Sequence, residues 1–108
     1  MKIAVTYENG QVFQHFGHTE QFKIYEAAEG KVVSARVVET GGSGHGALAG
    51  FLRGLGVDTL ICGGIGGGAR SALAEAGIQL YPGASGSADA QVAVSYTHLR
   101  AHETDQYL

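Results

Sequence analysis

Hydrophobic periodicity changes near residue 40. Before it, apolar positions alternate as in strands; after it, helical spacing and short apolar runs take turns. Lys2 to Thr6 is a short apolar run, and the Asn9-Gly10 pair behind it is a strong turn signal. Gln11 to Gly17 reads as a short strand or loop. From Gln21 to Ala27, Phe22, Ile24 and Glu26 alternate with Lys23 and Tyr25, which predicts a strand. Glu29-Gly30 is expected to be a tight turn, and Lys31 to Glu39 is a valine-rich strand. Gly41 to Gly44 is a loop. From His45 to Leu55, the spacing of Leu48, Phe51, Leu52 and Leu55 marks one face of a helix, with Gly56 as its stop. Val57 to Cys62 predicts a buried strand. Gly67 to Ala76 predicts a helix with Ala69, Ala72, Leu73 and Ala76 facing inward, ended by Gly77. Ile78 to Tyr81 is a last strand, broken by Pro82-Gly83, and a helix capped by Ser87 runs from Gly86 to about Val94.

The order is therefore β-β-β-α-β-α-β-α. An antiparallel meander feeding right-handed βαβ crossovers predicts a five-stranded mixed sheet flanked by helices, an α/β fold of the ribonuclease H-like kind. Residues 1–94 form the expected domain. Ser95 to Thr104 breaks the small-residue texture and resembles a translated adapter sequence, so residues 95–108 are expected to be a non-native tail. His98 and His102 within it are left out of the functional reading.

Composition narrows the function. The chain has 108 residues, the size of one domain, and its 44% hydrophobic content suffices for a core. Net charge is −3, and the seven Lys and Arg residues are scattered, which argues against nucleic acid and against a polybasic membrane surface. No apolar run approaches the roughly 20 residues of a membrane span. The single cysteine allows no internal disulfide, so a cytoplasmic, reducing setting is expected.

The densest chemistry lies in Cys62-Gly63-Gly64-Ile65-Gly66-Gly67-Gly68. In open α/β sheets, ligands bind outside the carboxyl ends of strands, and backbone amides at a helix start favour anions. His15, His18 and His45 also fall in loops or at element ends. If strands one, three and four are neighbours, these groups share one edge with Cys62. Imidazole with thiolate suits iron, copper, zinc or an iron–sulfur assembly. Other readings stand beside this one: Cys62 as a small buried hydrophobe, His18 as an exposed loop residue, and the glycines as plain strand–helix punctuation. No CxxC or HxxxH spacing of a dedicated zinc site involves these residues. Enzyme signatures are absent. There is no GxSxG elbow and no P-loop, and the acidic partner of a dinucleotide fold is missing. The carboxylates of a two-metal nuclease are missing too, since Asp58 stands at the wrong end of its strand. A binding protein rather than an enzyme is expected.

Val12-Phe13-Gln14-His15-Phe16-Gly17, Phe22-Lys23-Ile24-Tyr25, the glycine-rich turn from Cys62 to Ala69, and Gly77-Ile78 together resemble the dinitrogenase iron–molybdenum cofactor biosynthesis family. That family includes NifX-like proteins and the carboxy-terminal domain of NifB-like proteins. The resemblance implies a ribonuclease H-like fold without nuclease activity and carriage of an iron–sulfur or iron–molybdenum–sulfur cluster or its precursor. It also implies metallocluster donor and acceptor proteins as partners, and a monomer or weak homo-oligomer. The family's His-Phe-Gly histidine maps onto His15, the expected terminal ligand. Cys62 is expected as second ligand, His18 and His45 as supporting donors, and the backbone of Gly64, Gly66 and Gly67 as a cradle. Two other functions remain open: a phosphate-bearing small molecule held by the glycine-rich edge, and a protein partner paired to an exposed strand edge.

Overall fold

The structure, a computed structural model, describes residues 1–28, 31–41 and 45–93, with the backbone alone at residues 45 and 46. The strands are β1 (Lys2–Glu8), β2 (Gln11–Val12), β3 (Gln21–Ala28), β4 (Lys31–Glu39), β5 (Thr59–Ile61) and β6 (Gln79–Tyr81). The helices are α1 (His45–Gly54), α2 (Gly67–Glu75) and α3 over residues 88–93, with a single 3₁₀ turn at Phe16–His18. The predicted turn at Glu29-Gly30, part of the Gly41–Gly44 loop and the tail from residue 94 lie outside the described residues.

One mixed sheet runs in the order β4-β3-β1-β5-β6, and β2 pairs with the end of β1. β1 is parallel to β5, and β5 to β6, while β3 is antiparallel to both β1 and β4. The sheet thus has six strands rather than the expected five. The extra one, β2, is two residues long and is made by the Asn9-Gly10 turn. Both turn residues take positive φ (51° and 84°), the pairing that suits a two-residue hairpin.

The expected antiparallel meander is present in β1, β3 and β4, and of strands one, three and four only the first and fourth, β1 and β5, are neighbours. The third strand, β4, is separated from β1 by β3, because β3 returns directly alongside β1 and pushes β4 to the sheet's edge. β4 still runs parallel to β1 and β5, so the ends of all three point to the same edge of the sheet.

Strand alternation sorts the core into two layers. Ala4, Phe22, Ile24, Leu60 and Cys62 face Leu48, Leu52, Ala69 and Leu73 of α1 and α2. Ile3, Val5, Tyr25 and Ile61 face Ala88 and Val92 of α3. Each fully buried leucine contributes about 2–3 kcal/mol of transfer free energy. Burial on both faces explains why β1 and β5 read as unbroken apolar runs.

The helix ends follow their glycines. α1 and α2 close in the same way: Gly56 and Gly77 take positive φ (78° and 77°). The next amides, Val57 and Ile78, donate back to the Leu52 and Leu73 carbonyls at 3.2 and 3.0 Å. Ser87 caps α3 as expected, its Oγ accepting from the Ala90 amide at 3.3 Å.

α3 is also fixed to the sheet by Asp89. Its carboxylate accepts from Lys23 Nζ at 2.8 Å and from the Tyr25 hydroxyl at 2.5 Å. Both donors hold the Asp89 carboxyl below its ordinary range. Burial, and then the carboxylate itself, keep the Tyr25 phenol protonated. Because the folded state favours the Asp89 anion, this contribution is present above the unfolded carboxylate pKa and is lost as pH falls through the lower folded value. Asp89→Asn is therefore expected to lower the melting temperature by a few degrees at neutral pH. Melting curves taken down into the acid range should show the wild-type advantage shrinking to nothing.

Candidate functional site

The site begins with a strap of backbone. After β2 the chain crosses the ends of β1 and β5. The Phe13 amide donates to the Thr6 carbonyl at 2.9 Å, and the buried Thr6 hydroxyl donates to the Phe13 carbonyl at 2.8 Å. Next, the Gly64 amide donates to the Gln14 carbonyl at 2.7 Å, and the Phe16 amide to the Gly64 carbonyl at 3.1 Å. His15 and Gly64 thereby form a parallel bridge at the carboxyl end of β5.

This crossing needs glycine. A Cβ on Gly63 would lie 2.6–2.8 Å from Gln14 atoms, including its Cα, and one on Gly64 would lie 2.9 Å from the Gln14 carbonyl oxygen. The close approach that the sequence assigned to a ligand is, at these two positions, an approach of the protein's own backbone. Gly66, Gly67 and Gly68 differ, since a Cβ there would meet nothing within 4 Å.

The 3₁₀ turn places the two histidines. The His18 amide donates to the His15 carbonyl at 3.0 Å, and the Thr19 amide to that of Phe16 at 3.1 Å. Residues three apart eclipse in such a turn. The rings of His15 and His18 accordingly stand edge-to-face with centroids 6.5 Å apart, and Phe13 packs edge-on against His15 at 6.1 Å. Both imidazoles are exposed, while Phe16 between them is buried and anchors the turn.

Opposite them, α2 starts at Gly66, with no side chain capping it and no acidic residue in its first turn. The amides of a helix's first turn have no partner within the helix and suit an anion. Together the 3₁₀ turn and the start of α2 enclose an open cleft of about 450 Å³, lined by His15, Phe16, Gly17, His18, Gly64, Ile65, Gly66, Gly68 and Ala69. Its walls are apolar apart from the imidazoles and backbone. On its other side His18 borders a second hollow that holds Glu8 and Glu20.

Of the sequence candidates, His15, His18, Gly64 and Gly66 meet in this cleft, and Gly67 is not among its lining residues. His45 starts α1, which packs against the 3₁₀ turn, but its side chain lies outside the described residues.

Cys62 is placed otherwise than expected. It continues the alternation of β5 on the side of Leu60 and is fully buried in the core beneath α1 and α2. Burial pushes its thiol up to about 11, with the Arg70 guanidinium acting weakly in the opposite direction. A thiol so held is neutral and behaves as a small hydrophobe, so Cys62 does not offer the cleft a thiolate in this conformation. The sequence reading passed over Ile65 and Ala69, which give the cleft its apolar wall. It also passed over Arg70, a cation one residue beyond Ala69. The only signal for these residues was their place in the turn after β5.

The fold and the cleft define a small α/β domain that presents exposed imidazoles and helix-start amides at the carboxyl edge of a mixed sheet. A family model described as "Dinitrogenase iron-molybdenum cofactor" matches residues 1–97, and the chain belongs to that family. The FeMo cofactor biosynthesis protein NifB of Sinorhizobium fredii is 40% identical over 87 residues, which is 73% of this chain but only 18% of NifB. The chain thus spans less than a fifth of that relative. Among solved structures, PH0822 superposes with a TM-score of 0.86 at 25% identity, covering 91% of this chain and 90% of that one. The apo form of the orange protein from Desulfovibrio gigas superposes with a TM-score of 0.74 at 28% identity, covering 94% and 88%.

Two outcomes follow from the geometry. Gly63→Ala should destabilise the chain markedly in a denaturant melt, whereas Gly66→Ala should leave stability within about 1 kcal/mol, the usual cost of replacing a glycine whose φ is ordinary. In the native protein, Cys62 should react with iodoacetamide at pH 8 far more slowly than a free thiol, and unfolding should release it, as mass spectrometry of the alkylated chain would show.

Proposed function

We propose that this domain carries a preassembled iron–sulfur or iron–molybdenum–sulfur cluster, or its precursor, in the cleft between the 3₁₀ turn and α2. The observation that carries this reading is the pair of exposed imidazoles, 6.5 Å apart, facing uncapped amides across an apolar cleft. Among the described residues, no three His, Cys, Asp or Glu side chains converge as ligands of an ion. A bare divalent ion would find at most two imidazoles here, too few for a closed site. A cluster brings its own sulfide ligands and a negative charge. It asks of the protein one or two terminal donors and a surface that favours anions, which this cleft offers.

Family membership supports the same cargo class. Few protein ligands also suit a carrier, since cargo that arrives from a donor protein must leave to an acceptor. In this reading His15 is the terminal ligand, fixed by the Gly64 bridge, and His18 is the second donor or a hydrogen-bond donor to sulfide. Gly66 and the first amides of α2 face the cluster. Cys62 supports the cleft from beneath as a packed core residue. The role is binding rather than catalysis. The sheet order, with β3 alone antiparallel among the five strands of the main path, supports the ribonuclease H-like assignment.

The test is anaerobic reconstitution with an iron–sulfur cluster precursor, followed by desalting and measurement of retained iron, sulfide and visible absorbance. His15→Ala is expected to reduce retention at least about tenfold, the usual scale for disturbing a metal's surroundings, while Cys62→Ser retains cluster wherever the variant is folded. Equal retention by wild type and His15→Ala would remove His15 from the site.

A further inference from the structure

The remaining unabsorbed feature is the outer edge of the sheet. Among the described residues, three of the four exposed large hydrophobic side chains belong to β4: Val32 at 41%, Val33 at 56% and Val37 at 44%. β4 is nine residues long and outermost, and among the described residues only β3 pairs with it, so its other side presents a row of backbone donors and acceptors with no described strand beside it. Natural edges are commonly short or broken by proline. The opposite edge, β6, is three residues long, whereas β4 is long and holds no proline.

We propose that β4 pairs antiparallel with β4 of a second copy of this chain, about a two-fold axis at Ala35. Residues directly opposite in such a pair share a face of the sheet, so the axis must pass at a residue. An axis at Arg36 would set two guanidinium groups against each other. An axis at Val37 would set Ala35 against a glutamate, Glu39. An axis at Ala35 sets the small side chain against itself and Arg36 of each copy opposite Ser34 of the other. Ser34 and Arg36 lie on the face that holds Glu26 and Ile24, and the Ser34 hydroxyl donates to the Glu26 carboxylate at 3.2 Å. Arg36 of one copy therefore arrives beside an acidic group of the other.

On the opposite face, Val37 meets the Val32–Val33 segment of the second copy. Among the described residues, Arg36 forms no ion pair within its own chain. The β-bulge that inserts Val33 opposite the Glu26–Ala27 step lies outside the three central rungs, where it adds local twist.

The two-fold closes on itself, because only the three-residue β6 edges remain at the margins of the joined sheet. It also reverses the strand direction between copies. The two clefts then open at opposite ends and stay accessible, so this pairing is independent of the cargo reading. One strand pair buries little area, which makes the dimer weak and concentration-dependent.

The experiment uses the full chain, with sedimentation over a concentration series and cysteine cross-linking under mild oxidation. Cys62 is buried and leaves the new thiol as the reactive one. Ala35→Cys is expected to form a covalent dimer at least about tenfold faster than Arg36→Cys, because only position 35 faces its own copy across the axis at disulfide distance. Arg36→Glu, which sets an acid beside Ser34 and Glu26 of the second copy, should lower the dimer fraction of the wild-type sequence in a variant with unchanged melting temperature. A wild-type chain that sediments as a monomer at every concentration would overturn the proposal. Cross-linking at position 36 equal to or faster than at position 35 would overturn it too.

Discussion

Everything at the carboxyl edge of this sheet depends on one contact, the passage of the Gln14 backbone over Gly63 and Gly64. It leaves no room for a Cβ at either glycine. The contact replaces part of a strand's pairing: the amide of Gly64 and the amide of Phe16 find their acceptors across it. Because it ties the segment after β2 to the end of β5, it fixes where the 3₁₀ turn begins. The turn in turn determines that His15 and His18 stand on one side, eclipsed, with Phe16 buried between them. Two glycines in one loop thus set the position of two imidazoles 45 to 49 residues earlier in the chain.

The same edge divides its labour by residue. Gly63 and Gly64 serve the protein's own packing. Gly66 and the amides beyond it are free of that duty and open to the cleft. Cys62 lies in the core, neutral and packed, with the Arg70 charge acting on it from nearby. A pocket built this way is apolar and poor in ligands. Those properties fit a guest that supplies its own sulfur and must later depart. They fit a tightly chelated ion poorly.

Much of this was legible in the residues. The spacing of Leu48, Phe51, Leu52 and Leu55, the alternation from Phe22 to Tyr25, and the Asn9-Gly10 and Ser87 signals are local, and local rules govern them. The edge of the sheet at which the cleft opens was legible as well, since strand polarity follows from βαβ connections. Other features depend on tertiary neighbours. The side on which Cys62 falls depends on where β5 starts its alternation. Gly63 and Gly66 look alike in the chain, and only the strap above one of them separates their roles. The valines of β4 mark a strand in the sequence, but that it lies at the sheet's edge with its side chains largely exposed is a matter of tertiary pairing.

The central claim is that the strap presents His15 and His18 to a cluster in the cleft. The most direct measurement is nitrogen-15 NMR of the histidine rings during anaerobic titration with a cluster precursor. The account predicts that the ring signals of His15 and His18 shift or broaden in proportion to the cluster bound, together with the amides of Gly66 and Gly68. Cluster retained by the folded chain with both rings unperturbed would contradict it.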